Sequence, residues 1–151
     1  MTSNYHEFYL RGFSNGTKRP VFSIDYRLAP MVKYPGNLED CIKGYFWILN
    51  YIEKVIGTEV EDIILIGDSA GGALATSLTY WLIENKKRKP DLLLLAYSSL
   101  SLKVQGHNGS QLRSANDPLL HYSALRACHD FYLPENAKSE EDYYISQIMA
   151  P

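Results

Sequence analysis

Five residues, Gly67-Asp68-Ser69-Ala70-Gly71, follow the apolar run Ile63-Ile64-Leu65-Ile66 and open the amphipathic segment Ala73 to Glu84. So short a bridge makes a strand turn sharply and re-enter as a helix. A Cβ at either flanking glycine is expected to collide with the neighbouring strand or helix. The serine between them is expected in a strained turn that pushes its hydroxyl off the backbone. A helix starting directly after it turns its first N–H groups and the positive end of its dipole toward any oxyanion formed there. The pattern suits acyl transfer by a serine, and it commits this stretch to a strand–turn–helix unit.

The flanking segments extend that unit. Val21-Phe22-Ser23-Ile24-Asp25-Tyr26 follows Pro20 and reads as a buried strand. After a loop with Pro30 and Pro35, Asn37 can cap a helix with Glu39 and Asp40 in its first turn. Leu38, Cys41, Ile42, Tyr45, Phe46, Leu49 and Ile52 mark one face of that helix at a period of 3.6, and Gly57 stands where it should end. The strand before the turn is expected at about Asp62 to Ile66. The helix after it presents Leu74, Leu78, Trp81 and Leu82 to a core, and Lys86-Lys87-Arg88-Lys89 reads as its solvated end. Leu92 to Tyr97 is a third apolar strand, and a polar loop runs from Ser98 to Asn116. Asp117-Pro118 is expected to start a last helix, with Leu125, Cys128 and Tyr132 on one face and Pro134 beyond its end. The alternation β-α-β-α-β predicts an α/β fold with a mostly parallel sheet and helices on both faces.

A length of 151 residues fits one domain, and 46 % apolar residues suffice for a core. A net charge of −2 gives no electrostatic reason to expect nucleic acid or an anionic membrane as a partner. Cys41 and Cys128 fit no metal spacing and are expected to be reduced core thiols, as in a cytoplasmic protein. Met1 to Glu7 has neither the basic nor the apolar region of a signal peptide, and no run is long enough to be a transmembrane helix. The sequons at Asn15 and Asn108 are therefore read as chance. Gly67 to Gly72 does not suit a nucleotide. Ser69 stands where a dinucleotide fingerprint needs its second glycine, and no Gly-Lys-Ser/Thr follows.

Two motifs together resemble the hormone-sensitive-lipase-like branch of the α/β-hydrolases. Asp25-Tyr26-Arg27-Leu28-Ala29-Pro30 is similar to that branch's signature after a central strand, and Gly67-Asp68-Ser69-Ala70-Gly71-Gly72 to its nucleophile elbow. Tyr34-Pro35 with Leu38-Glu39-Asp40, Asp117-Pro118-Leu119-Leu120 and the Ile145 to Pro151 tail extend the resemblance over nearly the whole chain. The resemblance implies a carboxylic ester hydrolase of esterase or lipase type. Ser69 would be its nucleophile and the Ala70 N–H an oxyanion donor. Gly67, Asp68, Gly71 and Gly72 would be structural, and Asp68 a family marker rather than the triad acid. A small acyl ester is the implied substrate, and neither metal nor organic cofactor is implied. Oligomeric state and acyl-chain length stay open.

The branch also carries a His-Gly-Gly-Gly oxyanion loop upstream, and an acid and then a histidine downstream. None of these has a match here. Residues 1–151 are therefore expected to be the central part of one α/β-hydrolase domain, without the N-terminal oxyanion-loop strand and the C-terminal acid and histidine segment. Asp91 with His107, or Asp117 with His129, would follow the right order. However, Asp117 reads as a cap, His121 and His129 as residues of the helix it starts, and His107 as a loop residue. On its own the chain is expected to be nearly inactive and poorly soluble. The alternative is a non-catalytic module that binds a small ligand or a protein on the same fold.

Overall fold

The computed structural model describes residues 3–102, 113–139 and 141–151. Its elements are α1 (Glu7–Thr17), α2 (Gly36–Ile56), β1 (Ile64–Asp68), α3 (Ala70–Glu84), β2 (Leu92–Ala96) and α4 (Tyr122–Tyr132), with single 3-10 turns at Ser3–Tyr5, Ser114–Asn116 and Gln147–Met149. β1 and β2 pair in parallel, with Ile64 opposite Leu92 and Asp68 opposite Ala96. Parallel neighbours need a crossover, and α3 supplies it.

The core lies between α2 and α3 on one face of the strands. Leu38, Cys41 and Tyr45 meet Leu74, Leu78 and Leu82 there, with Ile63 and Leu65 packed against them. The Phe46 and Trp81 rings meet edge to face at 6.1 Å, a favoured arrangement for two aromatic quadrupoles. The 3.6-residue stripe expected on α2 is thus the stripe that is buried. The helix ends at Gly57 in the left-handed region, with φ of 70°, where its N–H donates to the Glu53 carbonyl.

Asn37 does not cap α2. It lies buried within the first turn, with its side-chain oxygen accepting from Leu38 N–H, and Pro35 precedes the helix. Asp40 instead receives Arg27 through its guanidinium at 2.7 and 2.8 Å and through its backbone N–H at 3.0 Å. Arg27 holds that carboxyl below its usual range. This joins two of the motif fragments in space.

Residues 21–26 form no strand. They pair with no described strand and no residue among them is buried. Their composition suits a strand, but a strand exists only when a neighbour takes its N–H and C=O groups, and no described segment does so. The β1 and β2 faces also differ. Ile64, Ile66, Leu92 and Leu94 are exposed, whereas Leu65 and Leu93 are partly covered. α1, which the sequence pattern does not reveal, buries no residue. Its Tyr9 lies near enough to Asp68 and Tyr97 for their charges to raise its phenol pKa, after burial as the first cause.

Asp117 starts a turn rather than a helix. Its carboxylate accepts from Leu119 and Leu120 N–H at 2.8 and 2.9 Å. α4 begins at Tyr122 with His121 as its cap, the Nδ1 accepting from Ser123 N–H. α4 buries none of its residues, and Cys128 is exposed. It is therefore not the core thiol expected. Cys41 is buried, and that burial pushes its thiol pKa up to about 12. The segment 145–147 packs against α3. Ile145, Ser146 and Gln147 are buried, and the Gln147 amide donates to Ser77 on α3 at 2.6 Å.

Candidate active site

β1 ends at Asp68 and α3 starts at Ala70, so Ser69 alone makes the turn. Its φ of 50° and ψ of −118° lie in a region that non-glycine residues rarely adopt. Such a backbone costs about 1–3 kcal/mol and persists only where its surroundings hold it. Here Ser69 N–H donates to the Ala96 carbonyl at 3.0 Å, and the Ser69 carbonyl accepts from Ser99 N–H at 3.2 Å. The chain leaving β2 thus grips the turn from both sides of the peptide.

The side chain is left free. A serine at the N-cap usually accepts, through its side-chain oxygen, from the first helical N–H groups. Ser69 makes no such bond, and the residue is exposed. Ala70 is the first residue of α3, so its N–H has no acceptor within the helix. A hydroxyl and an amide donor therefore stand side by side at an exposed helix start. This can carry nucleophilic attack and stabilise the oxyanion that results.

The glycines differ from expectation. A Cβ on Gly67 would come within 2.5 Å of the Gly71 carbonyl carbon and 2.6 Å of the Gly72 nitrogen. One on Gly72 would lie 2.7 Å from the Ser98 Cβ. On Gly71 the nearest atom would be an Asp68 carboxylate oxygen at 3.9 Å, an ordinary contact. Close packing of the turn thus requires Gly67 and Gly72, and Gly71 is not sterically forced. Asp68 is partly buried and its carboxylate accepts from the Tyr97 hydroxyl at 3.0 Å.

The other candidates stay apart from Ser69. Asp91 accepts from Ile63 N–H and ties the start of β1 to the start of β2. Asp117 closes a turn and His121 caps α4. His129 is half-buried, and burial and Arg126 lower its imidazole pKa against the opposing pull of Asp130. No hydrogen bond among the described residues joins a histidine or an acid to the Ser69 hydroxyl, and His107 and the Asn108 sequon lie outside them. No group of three or more metal-ligating side chains occurs among the described residues, and no described helix is long and apolar enough to cross a membrane. Sequence reasoning missed the clamp at 96–99. Its members follow an apolar run and act mostly through backbone groups, so only Tyr97 leaves a side-chain trace.

The profile of a family described as alpha/beta hydrolase fold matches residues 1–151. The chain is 36 % identical over 141 residues to hormone-sensitive lipase of Mus musculus, which takes in 93 % of this chain and 18 % of the lipase. It is 29 % identical over 149 residues to Esterase LipU of Mycobacterium tuberculosis, over 99 % of this chain and 48 % of the esterase. Among solved structures it is similar to carboxyl esterase 2 from the mycorrhizal fungus Tuber melanosporum. That superposition has a TM-score of 0.89 at 26 % identity and covers 100 % of this chain and 49 % of the esterase. The chain spans about half the length of the two esterases and less than a fifth of the lipase.

Proposed function

This chain belongs to the alpha/beta hydrolase fold family, and on that premise we propose that it serves the hydrolysis of carboxylic esters, with Ser69 as nucleophile and the Ala70 N–H as an oxyanion donor. The observation that carries the proposal is the Ser69 turn itself: strained, gripped by backbone hydrogen bonds, with a hydroxyl that does not cap its helix. The chain's similarity to a lipase and to esterases supports the substrate class, a carboxylic ester.

The reaction needs a base to take the Ser69 proton and an acid to orient that base. In this proposal both come from outside the described residues, because no described histidine or acid is hydrogen-bonded to the Ser69 hydroxyl. Ser69 attacks the ester carbonyl, its proton passes to the base, and the negative charge moves to the carbonyl oxygen beside Ala70 N–H. The tetrahedral species collapses as the base returns the proton to the departing alcohol. Water, deprotonated by the same base, then attacks the acyl-Ser69 ester and releases the acid, with the proton going back to Ser69. No metal or organic cofactor enters any of these steps. We place the chain in the cytoplasm, on the support of its two unpaired thiols. Mass tagging of fresh lysate with a thiol reagent should find both free, and a disulfide at either would overturn that location.

The test is a fluorophosphonate probe applied to native extract and to the purified chain, with the modified peptide mapped by mass spectrometry. Label on Ser69, absent in Ser69→Ala, is the expected result in the extract. The purified chain, where no described base reaches Ser69, should turn over activated short-chain esters about 10⁴-fold more slowly than a triad esterase, or worse. Absence of label from Ser69 in the extract would sink the nucleophile reading and favour a binding role.

A further inference from the structure

The Tyr97 side chain has no part in the family resemblance or in the chemistry above, yet it sits against the elbow. It is the first residue after β2, and it too has a positive φ, of 39°. Two strained non-glycine residues, Ser69 and Tyr97, thus stand at the same end of two paired strands. Tyr97 is 79 % exposed, so burial of its ring does not hold it there. What the side chain does make is one hydrogen bond, from its hydroxyl to the Asp68 carboxylate at 3.0 Å. Asp68 is the residue immediately before Ser69. Together with the bonds from Ser69 N–H to Ala96 and from Ser99 N–H to Ser69, the turn is tied to the 96–99 segment at three successive points.

We propose that Tyr97 is a positioning residue for the elbow: its hydroxyl tethers the Asp68 carboxylate across the strand ends, and this holds the Ser69 turn in the conformation that presents the hydroxyl. The inference rests on the reading of Ser69 as nucleophile. The carboxylate would otherwise be a free charge next to a serine that has to develop negative charge on its substrate, so fixing its position also fixes its field. Asp68 raises the Tyr97 phenol pKa, through the hydrogen bond first and its charge second.

Hydrogen exchange at the Ser69 and Ser99 amides tests this on the whole chain, in the wild type, Tyr97→Phe, Asp68→Asn and the double variant. Each single change should speed exchange at both amides several-fold with no shift of the urea midpoint. The double variant should go no further than either single one. With ¹³Cζ-labelled tyrosine, the Tyr97 signal should titrate above the ordinary phenol value of about 10 in the wild type and return to it in Asp68→Asn. Unchanged amide exchange in Tyr97→Phe, or strictly additive effects, would overturn the proposal, as would a Tyr97 titration indifferent to Asp68. A chain whose exchange is coupled as expected but whose Ser69 takes no fluorophosphonate in native extract overturns the nucleophile reading and leaves the tether standing. A labelled Ser69 with uncoupled exchange does the reverse.

Discussion

At the scale of single residues, the elbow was legible as a motif, but the reason for each residue was not. Gly-x-Ser-x-Gly predicts two glycines that cannot carry a Cβ. The structure moves the second constraint from Gly71 to Gly72, because the α3 helix leans its third residue, not its second, against Ser98. Spacing in sequence cannot tell which helical residue faces the chain leaving β2; that depends on where the parallel neighbour ends. The distinction is measurable. Gly67→Ala drives a methyl group into the Gly71–Gly72 backbone, which cannot swing aside as a side chain can. It should destabilise by roughly 1–3 kcal/mol or more in urea unfolding. Gly71→Ala meets only ordinary contacts and gains helix propensity, so it should be neutral or stabilise by up to about 1 kcal/mol. Equal losses at the two positions would show that the turn does not pack as described.

At the scale of elements, helices with a buried stripe were readable and the rest were not. α2 carries the seven apolar positions from Leu38 to Ile52 named above at helical spacing, and they face the core. α1 has no buried residue and two glycines, Gly12 and Gly16, in its eleven positions. It is held by local contacts such as Glu7 with Arg11 and the Tyr9–Phe13 rings, and these leave no long pattern. The misread strand at 21–26 has the opposite history, since its composition is right and its neighbour is lacking. Two predictions follow from this level. Leu82 is fully buried between α3 and α2, so Leu82→Ala should cost roughly 2–5 kcal/mol through lost transfer energy and a residual cavity; a much smaller loss would mean that α2 and α3 collapse to fill it. The Arg27–Asp40 link should show in pH. Asp40 has a folded pKa below its unfolded value of about 3.9. Its contribution is complete above that value and disappears as pH falls through the folded pKa. The gap in urea midpoint between wild type and Asp40→Asn should therefore be constant from about pH 5 to 8 and narrow below about pH 4. A gap that persists at lower pH would place the effect in packing rather than charge.

At the scale of the whole molecule, the fold class follows from the order of apolar runs, yet the sheet has an unequal pair of faces. Side chains alternate along a strand, so in-register parallel pairs fall on one side or the other together. Leu65 and Leu93 face α2 and α3. Ile64 with Leu92, and Ile66 with Leu94, form the opposite face and remain between 43 and 55 % exposed. The continuous leucine run at 92–95 predicts cover on both sides, and it could not show that the described residues cover only one. Four large aliphatic residues on one face, beside strand edges that no described residue pairs, make a surface that water opposes and another sheet can add to. The isolated chain should therefore associate in a concentration-dependent way and bind a hydrophobic dye while still folded. Replacing Ile66 and Leu94 with threonine keeps the β-branched or strand-compatible shape and removes much of the apolar area. It should shift the chain toward monomer in sedimentation velocity without lowering the unfolding free energy by more than the one lost Ile66–Leu94 pair, about 0.2–1 kcal/mol. A wild-type chain that sediments as a monomer at every concentration, with one sharp urea transition, would mean that this face is satisfied within the chain itself.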